Sequence, residues 1–220
     1  MATTFAGILT SIVLMVTTLF PIVNPLSGAP IFLALTADAS GRERKIVSWR
    51  VARNSFFLLL GALLVGSHVL SFFGISLPIV QVGGGLVVFS SGWAMLKHDD
   101  EADRKEIGAT VKPGAVLKKA FYPLTLPLTV GPGSIATAIT LGANTPHPGG
   151  SRLALGLVAA VVGAAVISLS VYLCYAFADR TVRLLGPSAV SVIVRLSAFL
   201  LTCVGLQIVW NGLRVLVHTL

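Results

Sequence analysis

Apolar residues gather into six runs along the chain, near 5–36, 54–73, 78–96, 119–142, 153–178 and 190–213, separated by segments where charges and turn-forming residues collect. Each run is long enough to cross a bilayer as a helix, which takes about 20 residues. The pattern predicts an all-α membrane protein with six transmembrane helices. Two of the runs are interrupted. The first contains "FPIVNPLSGAPIFLAL", with Pro21, Pro25 and Pro30, and the fourth reads "FYPLTLPLTVGPGSIATAIT", with Pro123, Pro127, Gly131, Pro132 and Gly133. As one straight helix, residues 5–36 would reach about 48 Å at ~1.5 Å per residue, well beyond a hydrocarbon core of about 30 Å. Proline removes a backbone donor and pushes the residue before it toward extended geometry. The first run is therefore expected to be a helix to about Phe20, an unwound "PIVNPLSG", and a second short helix from about Ala29. Unwound backbone at membrane depth survives only where protein or a water-filled cavity covers it. The breaks at NPLSG and GPGS are thus candidate linings of a polar site; a proline kink satisfied by neighbouring helices is the competing reading of either one alone.

The two breaks also look like copies of one another. Setting Asn24-Pro25-Leu26-Ser27 beside Gly131-Pro132-Gly133-Ser134 matches a Pro and a Ser at an offset of 107, and Ala29 then meets Ala136. The third and sixth runs align from Ile79 and Ile193 at an offset of 114, pairing Gln81 with Arg195 and Trp93 with Gln207. Two copies of three spans must run in opposite directions, because three is odd. The expected organisation is a 3+3 inverted repeat: residues 1–97, a charged loop at 98–118, and residues 119–220. Interrupted hydrophobic segments at matching positions of two halves point to the midplane site of a transporter.

Composition agrees with membrane embedding and charge gives the direction. The chain is 55% hydrophobic and 11% charged with a mean hydropathy of +0.91, against about 25% charged residues in soluble domains. A net charge of +8 could signal nucleic acid, but its distribution says otherwise. Thirteen Lys and Arg fall in the first, third and fifth connections, and two, Arg152 and Arg214, on the opposite side. Basic residues collect in cytoplasmic loops, so both termini are expected outside. The first 25 residues hold no Lys or Arg, which does not fit a cleaved leader with a basic n-region. Lipid and a small solute are the expected partners, nucleic acid is not, and a homo-oligomer is compatible with the pattern.

"NPLSGAPIFLALT" followed by a basic loop, "PLTLPLTVGPGSIATAIT" after a charged central loop, and "RLSAFLLTCVGLQIVWNGL" at the end resemble the MarC family of bacterial and archaeal membrane proteins, over essentially the whole chain. The resemblance implies an inner-membrane carrier built as a 3+3 repeat, with small neutral amino acids such as glycine, alanine and serine as its substrates. The third span of that family often carries an Arg and an acidic residue; this chain has Gln81 and Ala94 there.

An interrupted helix leaves orphan backbone donors where its second half begins, and the helix dipole makes that end mildly positive. Such ends bind carboxylates without a charged side chain. The candidate substrate-binding residues are Asn24, Pro25, Ser27, Gly28, Thr129, Gly131, Gly133 and Ser134. Gln81, Arg195, Gln207 and Asn211 are candidate gate or cavity-lining residues, with snorkelling for Arg195 and interhelical hydrogen bonding for the amides as the plainer readings. All eight acidic residues fall in or beside the expected cytoplasmic loops, and His68 alone among the four histidines lies in a span. Proton coupling, sodium coupling through carbonyls and hydroxyls, and simple facilitation all stay open. No catalytic residue, metal or cofactor is expected: Ser27 and Ser134 lack a base at their depth, and Cys174 and Cys203 have no metal or redox spacing. Rival readings are a channel, a carrier of a different solute including drugs, and a non-transporting assembly protein.

Overall fold

Long apolar stretches with few internal breakers wind into helices wherever the backbone can bond to itself, and the described residues do so almost throughout. The computed structural model describes residues 2–97, 120–144 and 150–218; the charged loop expected at 98–118 lies outside them. The helical segments are α1 (Ala2–Val23), α2 (Pro25–Leu35), α3 (Gly41–Phe72), α4 (Leu77–Lys97), α5 (Phe121–Thr129), α6 (Pro132–Ala143), α7 (Gly150–Ala176) and α8 (Ala178–His218). Four described helices are long and apolar enough to cross a membrane, and six spans result if the bent pairs α1–α2 (40°) and α5–α6 (63°) each count as one.

Several elements differ from expectation for identifiable reasons. The helix expected at 54–73 begins at Gly41, because Ser40 caps it: the Glu43 N–H donates to Ser40 Oγ (3.3 Å) and the Ser40 N–H to Glu43 Oε2 (2.9 Å). The last helix likewise starts early, at Ala178, and turns at Gly186, whose φ of 74° only glycine adopts easily. The first break is far narrower than an unwound "PIVNPLSG". Helix α1 runs through Pro21 to Val23, and only Asn24 leaves the helical region, at φ 47° and ψ 57°. This is a left-handed rather than an extended conformation, one that Asn tolerates better than most side chains. Ala29, before Pro30, stays helical. Segment α5, by contrast, is more irregular than expected. Tyr122 and Leu126 are extended, each before a cis proline, and the Val130 N–H bonds back five residues to the Thr125 carbonyl (2.8 Å).

Packing follows small residues. Helices α4 and α8 run antiparallel along a glycine seam: a β-carbon on Gly85 would meet the Val209 nitrogen at 2.7 Å, and one on Gly92 the Thr202 nitrogen at 2.6 Å. Gly205 and Gly212 occupy the facing positions against Phe89 and Pro78. Each pair is spaced by seven, which keeps it on one helical face, and the missing side chains let the backbones approach. Helix α6 is clasped between α4 and α3, with Gly84 against Ala136, Gly66 against Ile139 and Gly142 against Leu63. Met15, Leu19, Phe32, Leu59, Ile167, Val171 and Tyr175 form the buried centre, while Leu14, Phe57, Val69, Phe199 and Trp210 face outward.

Candidate functional site

The left-handed turn at Asn24 and the proline after it open a gap in the backbone ladder. Pro25 has no N–H, and Gly28 is the first residue of α2 to close a helical bond, to the Asn24 carbonyl at 3.1 Å. The N–H groups of Leu26 and Ser27 are therefore orphan donors at the positive end of α2. The second junction is built the same way. Gly131 is extended, Pro132 lacks a donor, and Ile135 closes the first bond of α6 to the Gly131 carbonyl at 3.1 Å. Gly133 and Ser134 stand where Leu26 and Ser27 do.

Both junctions border one cleft of about 170 Å³. Asn24, Ser27, Gly28, Thr129, Gly131, Gly133 and Ser134 line it, together with Val87, Val88, Ser91 and Met95 of α4 and Leu201 of α8. Of the eight candidate binding residues, only Pro25 does not; it is buried in the first turn of α2. None of the described residues that line the cleft carries an ionisable side chain.

Hydroxyls inside the spans mostly satisfy themselves on the preceding turn, as an apolar surrounding demands. Thr17, Ser48, Ser91, Thr137, Thr140 and Thr202 each donate to the carbonyl four residues back. Ser134 donates to the Gly131 carbonyl at 2.8 Å. Ser27, Ser55 and Ser168 break the pattern, with a buried Oγ that has no hydrogen-bond partner among the described residues; of the three only Ser27, 1% exposed, lines the cleft.

A residue that sequence reasoning missed ties the two junctions together. Tyr175, fully buried on α7, stacks on Phe32 of α2 at 4.5 Å between ring centroids. Its hydroxyl lies 2.9 Å from Thr129 Oγ1, and a β-carbon on Gly28 would come within 2.5 Å of it. Gly28 is thus required for the approach of α7. The proton count fixes the direction of the Tyr175–Thr129 bond. Thr129 has one hydroxyl proton and places it on the Leu124 carbonyl (2.7 Å), so Tyr175 donates to Thr129. A tyrosine in an otherwise apolar run needs a partner for its O–H, and that was the available signal.

The four candidate gate residues lie elsewhere. Gln81 is half-buried beside Gly212 on the α4–α8 seam, and Arg195 is exposed on α8. Gln207 Nε2 donates to Asn211 Oδ1 at 2.9 Å, with both residues exposed. None of the four lines the cleft, and His68 is exposed on α3.

Comparison with known proteins gives the family and agrees with membrane embedding. Residues 9–217 match the model of the MarC family integral membrane proteins. The inner membrane protein MarC of Salmonella paratyphi B is 30% identical over 205 residues, covering 91% of this chain and 93% of its own length. That of Citrobacter koseri is 31% identical with the same coverage, and a membrane protein of Methanocaldococcus jannaschii is 30% identical over 92% of this chain and 95% of its own. No solved structure matches. The chain belongs to the MarC family of integral membrane proteins, and its place, like that of its enterobacterial relatives, is the inner membrane.

Proposed function

We propose that the protein is a secondary transporter that carries small neutral amino acids such as glycine, alanine or serine, held between the two helix junctions. The observation that carries this reading is that residues from both junctions, about half a chain apart in sequence, line one cleft. The matching cap bonds, Gly28 to Asn24 and Ile135 to Gly131, repeat at the offset of 107. Helix packing follows the same exchange: α4 packs on α6 as α8 does on α2, α3 on α5 and α6 as α7 does on α1 and α2, and α3–α7 and α4–α8 each pair. These relations support a 3+3 inverted repeat, and the basic residues of the first, third and fifth connections support termini on the outside. Repeats of this kind, related by an axis in the membrane plane, underlie alternating access around a fixed site.

The chemistry favours a zwitterion. Each junction sets orphan N–H groups of one helix start beside the carbonyl end of the preceding segment, offering a positive and a negative pole without any charged side chain. The cleft, at about 170 Å³, is smaller than the roughly 300–1,000 Å³ typical of sites for drug-sized molecules, which favours a solute of few atoms over drug efflux.

The test is uptake of radiolabelled glycine, alanine and serine into proteoliposomes, with and without proton and sodium gradients. Saturable uptake, lost in Asn24→Ala and compared with the backbone-preserving Asn24→Gly, is the expected result. Flat traces from folded protein under every gradient would remove the amino acid reading, and non-saturating flux would mark a channel.

A further inference from the structure

The two junctions are built alike but their serines are not used alike, and the difference assigns a polarity to the site. We infer that the first turn of α2 is the subsite that holds the carboxylate of the solute, with the Ser27 hydroxyl donating to it, while at the matching turn of α6 the serine hydroxyl is already committed to the Gly131 carbonyl. This rests on the carrier reading above and deepens it.

A helix start alone is only a weak attractor for anions. Here it is joined by an unsatisfied side chain. Ser27 is one of the residues that line the cleft, it is almost wholly buried, and its Oγ has no partner among the described residues. Leaving a buried hydroxyl unmatched is unfavourable, so an unpartnered one bordering a cavity calls for a ligand group. Ser134, its counterpart, has already placed its one proton on Gly131. The first turn of α2 thus offers three neutral donors, the Leu26 and Ser27 N–H groups and the Ser27 hydroxyl. Donors at the positive pole of a helix match the two oxygens of a carboxylate. With no basic side chain in the lining, the site suits a single negative charge that the solute itself balances. Tyr175 holds this turn in place, since its hydroxyl lies against Gly28 while bonded to Thr129. The opposite pole of the solute then faces the end of α5, whose Pro127 and Leu128 border the same cleft.

The experiment dissects the solute. Purified full-length protein is titrated calorimetrically with L-alanine, with propionate (a carboxylate without an ammonium) and with alaninamide (the reverse). Wild type, Ser27→Ala, Ser134→Ala and, as a buried control away from the cleft, Ser55→Ala are compared. Ser27→Ala is expected to weaken alanine and propionate by roughly tenfold or more and to leave alaninamide within about twofold. Ser134→Ala should affect propionate less than Ser27→Ala does. The ligand-free melting temperature of Ser27→Ala should not fall, because no native bond is removed; that separates a ligand contact from a structural role. Unchanged propionate affinity in Ser27→Ala, a larger effect from Ser134→Ala, or no carboxylate binding at all would overturn the assignment. Ser27-dependent propionate binding without alanine flux would retain the subsite and reject the carrier. Normal alanine flux and affinity in Ser27→Ala would do the opposite.

Discussion

The Tyr175–Thr129–Leu124 chain yields a prediction in which one substitution changes sign with its background. Tyr175→Phe deletes a donor, but Thr129 keeps its own bond to the Leu124 carbonyl at 2.7 Å and nothing buried is left without its proton placed. The loss should be that of one ordinary hydrogen bond, about 0.5–1.5 kcal/mol. Thr129→Val is worse, because it strands the Tyr175 O–H in a site with no solvent exposure and removes the donor to Leu124. Its expected cost is about 1–3 kcal/mol. In the Thr129→Val background the stranded hydroxyl is a burden, so Tyr175→Phe should now stabilise, and the double variant should be more stable than Thr129→Val alone. Unfolding free energies from detergent–SDS titrations, arranged as a double-mutant cycle, measure the coupling directly. If Tyr175→Phe destabilises both backgrounds equally, within about 0.3–0.5 kcal/mol, the hydroxyls do not act on each other and the bridge between the junctions is not there.

Other substitutions test the rest of the frame. Gly85→Ala pushes a methyl into the α8 backbone at Val209 and should lower stability by about 1–3 kcal/mol in the same titration. Gly83→Ala, two residues away with nothing within 4 Å, should instead be neutral or raise it by about 0.4–1 kcal/mol. At the C-terminal end of α2, the Arg44 guanidinium donates to the Thr36 carbonyl (3.0 Å) and to Thr36 Oγ1 (3.2 Å). Arg44→Lys cannot span both and should cost about 1 kcal/mol, read in the same way. Asn24→Gly should retain full thermal stability, whereas Asn24→Val should lose about 1–2 kcal/mol, since a β-branched residue resists a φ of 47°.

Much of the frame can be read from the chain alone. The apolar runs carry the helices, and the clustered prolines mark where two of them break. The extent of each break cannot be read, because proline acts differently in the two places. Pro21 is absorbed into α1, whereas Pro123 and Pro127 follow residues that turn fully extended. Which outcome a proline takes depends on the packing around it, and that is a tertiary fact. The same limit hides Tyr175: its polar atom is visible in "YLCYA", but its partner lies 46 residues away. Gln81, Arg195, Gln207 and Asn211 stand out because polar groups in apolar runs are rare. A helix has an outward face as well as an inward one, though, and periodicity does not say which face meets the cleft. The "SGRE" capping box, by contrast, is legible as a helix start and accounts for the early beginning of α3.

The uncharged lining of the cleft has an energetic corollary. A transmembrane potential does work only on net charge, about 2.3 kcal/mol per elementary charge per 100 mV. A zwitterion crossing through a pathway of backbone dipoles and hydroxyls moves none, and no lining side chain changes protonation on the way. For such a solute travelling alone, the bilayer voltage is invisible: the concentration ratio across the membrane relaxes to one, and flux is electrically silent. Accumulation above that ratio would call for a second, coupled species, and a current recorded during uptake would report its charge.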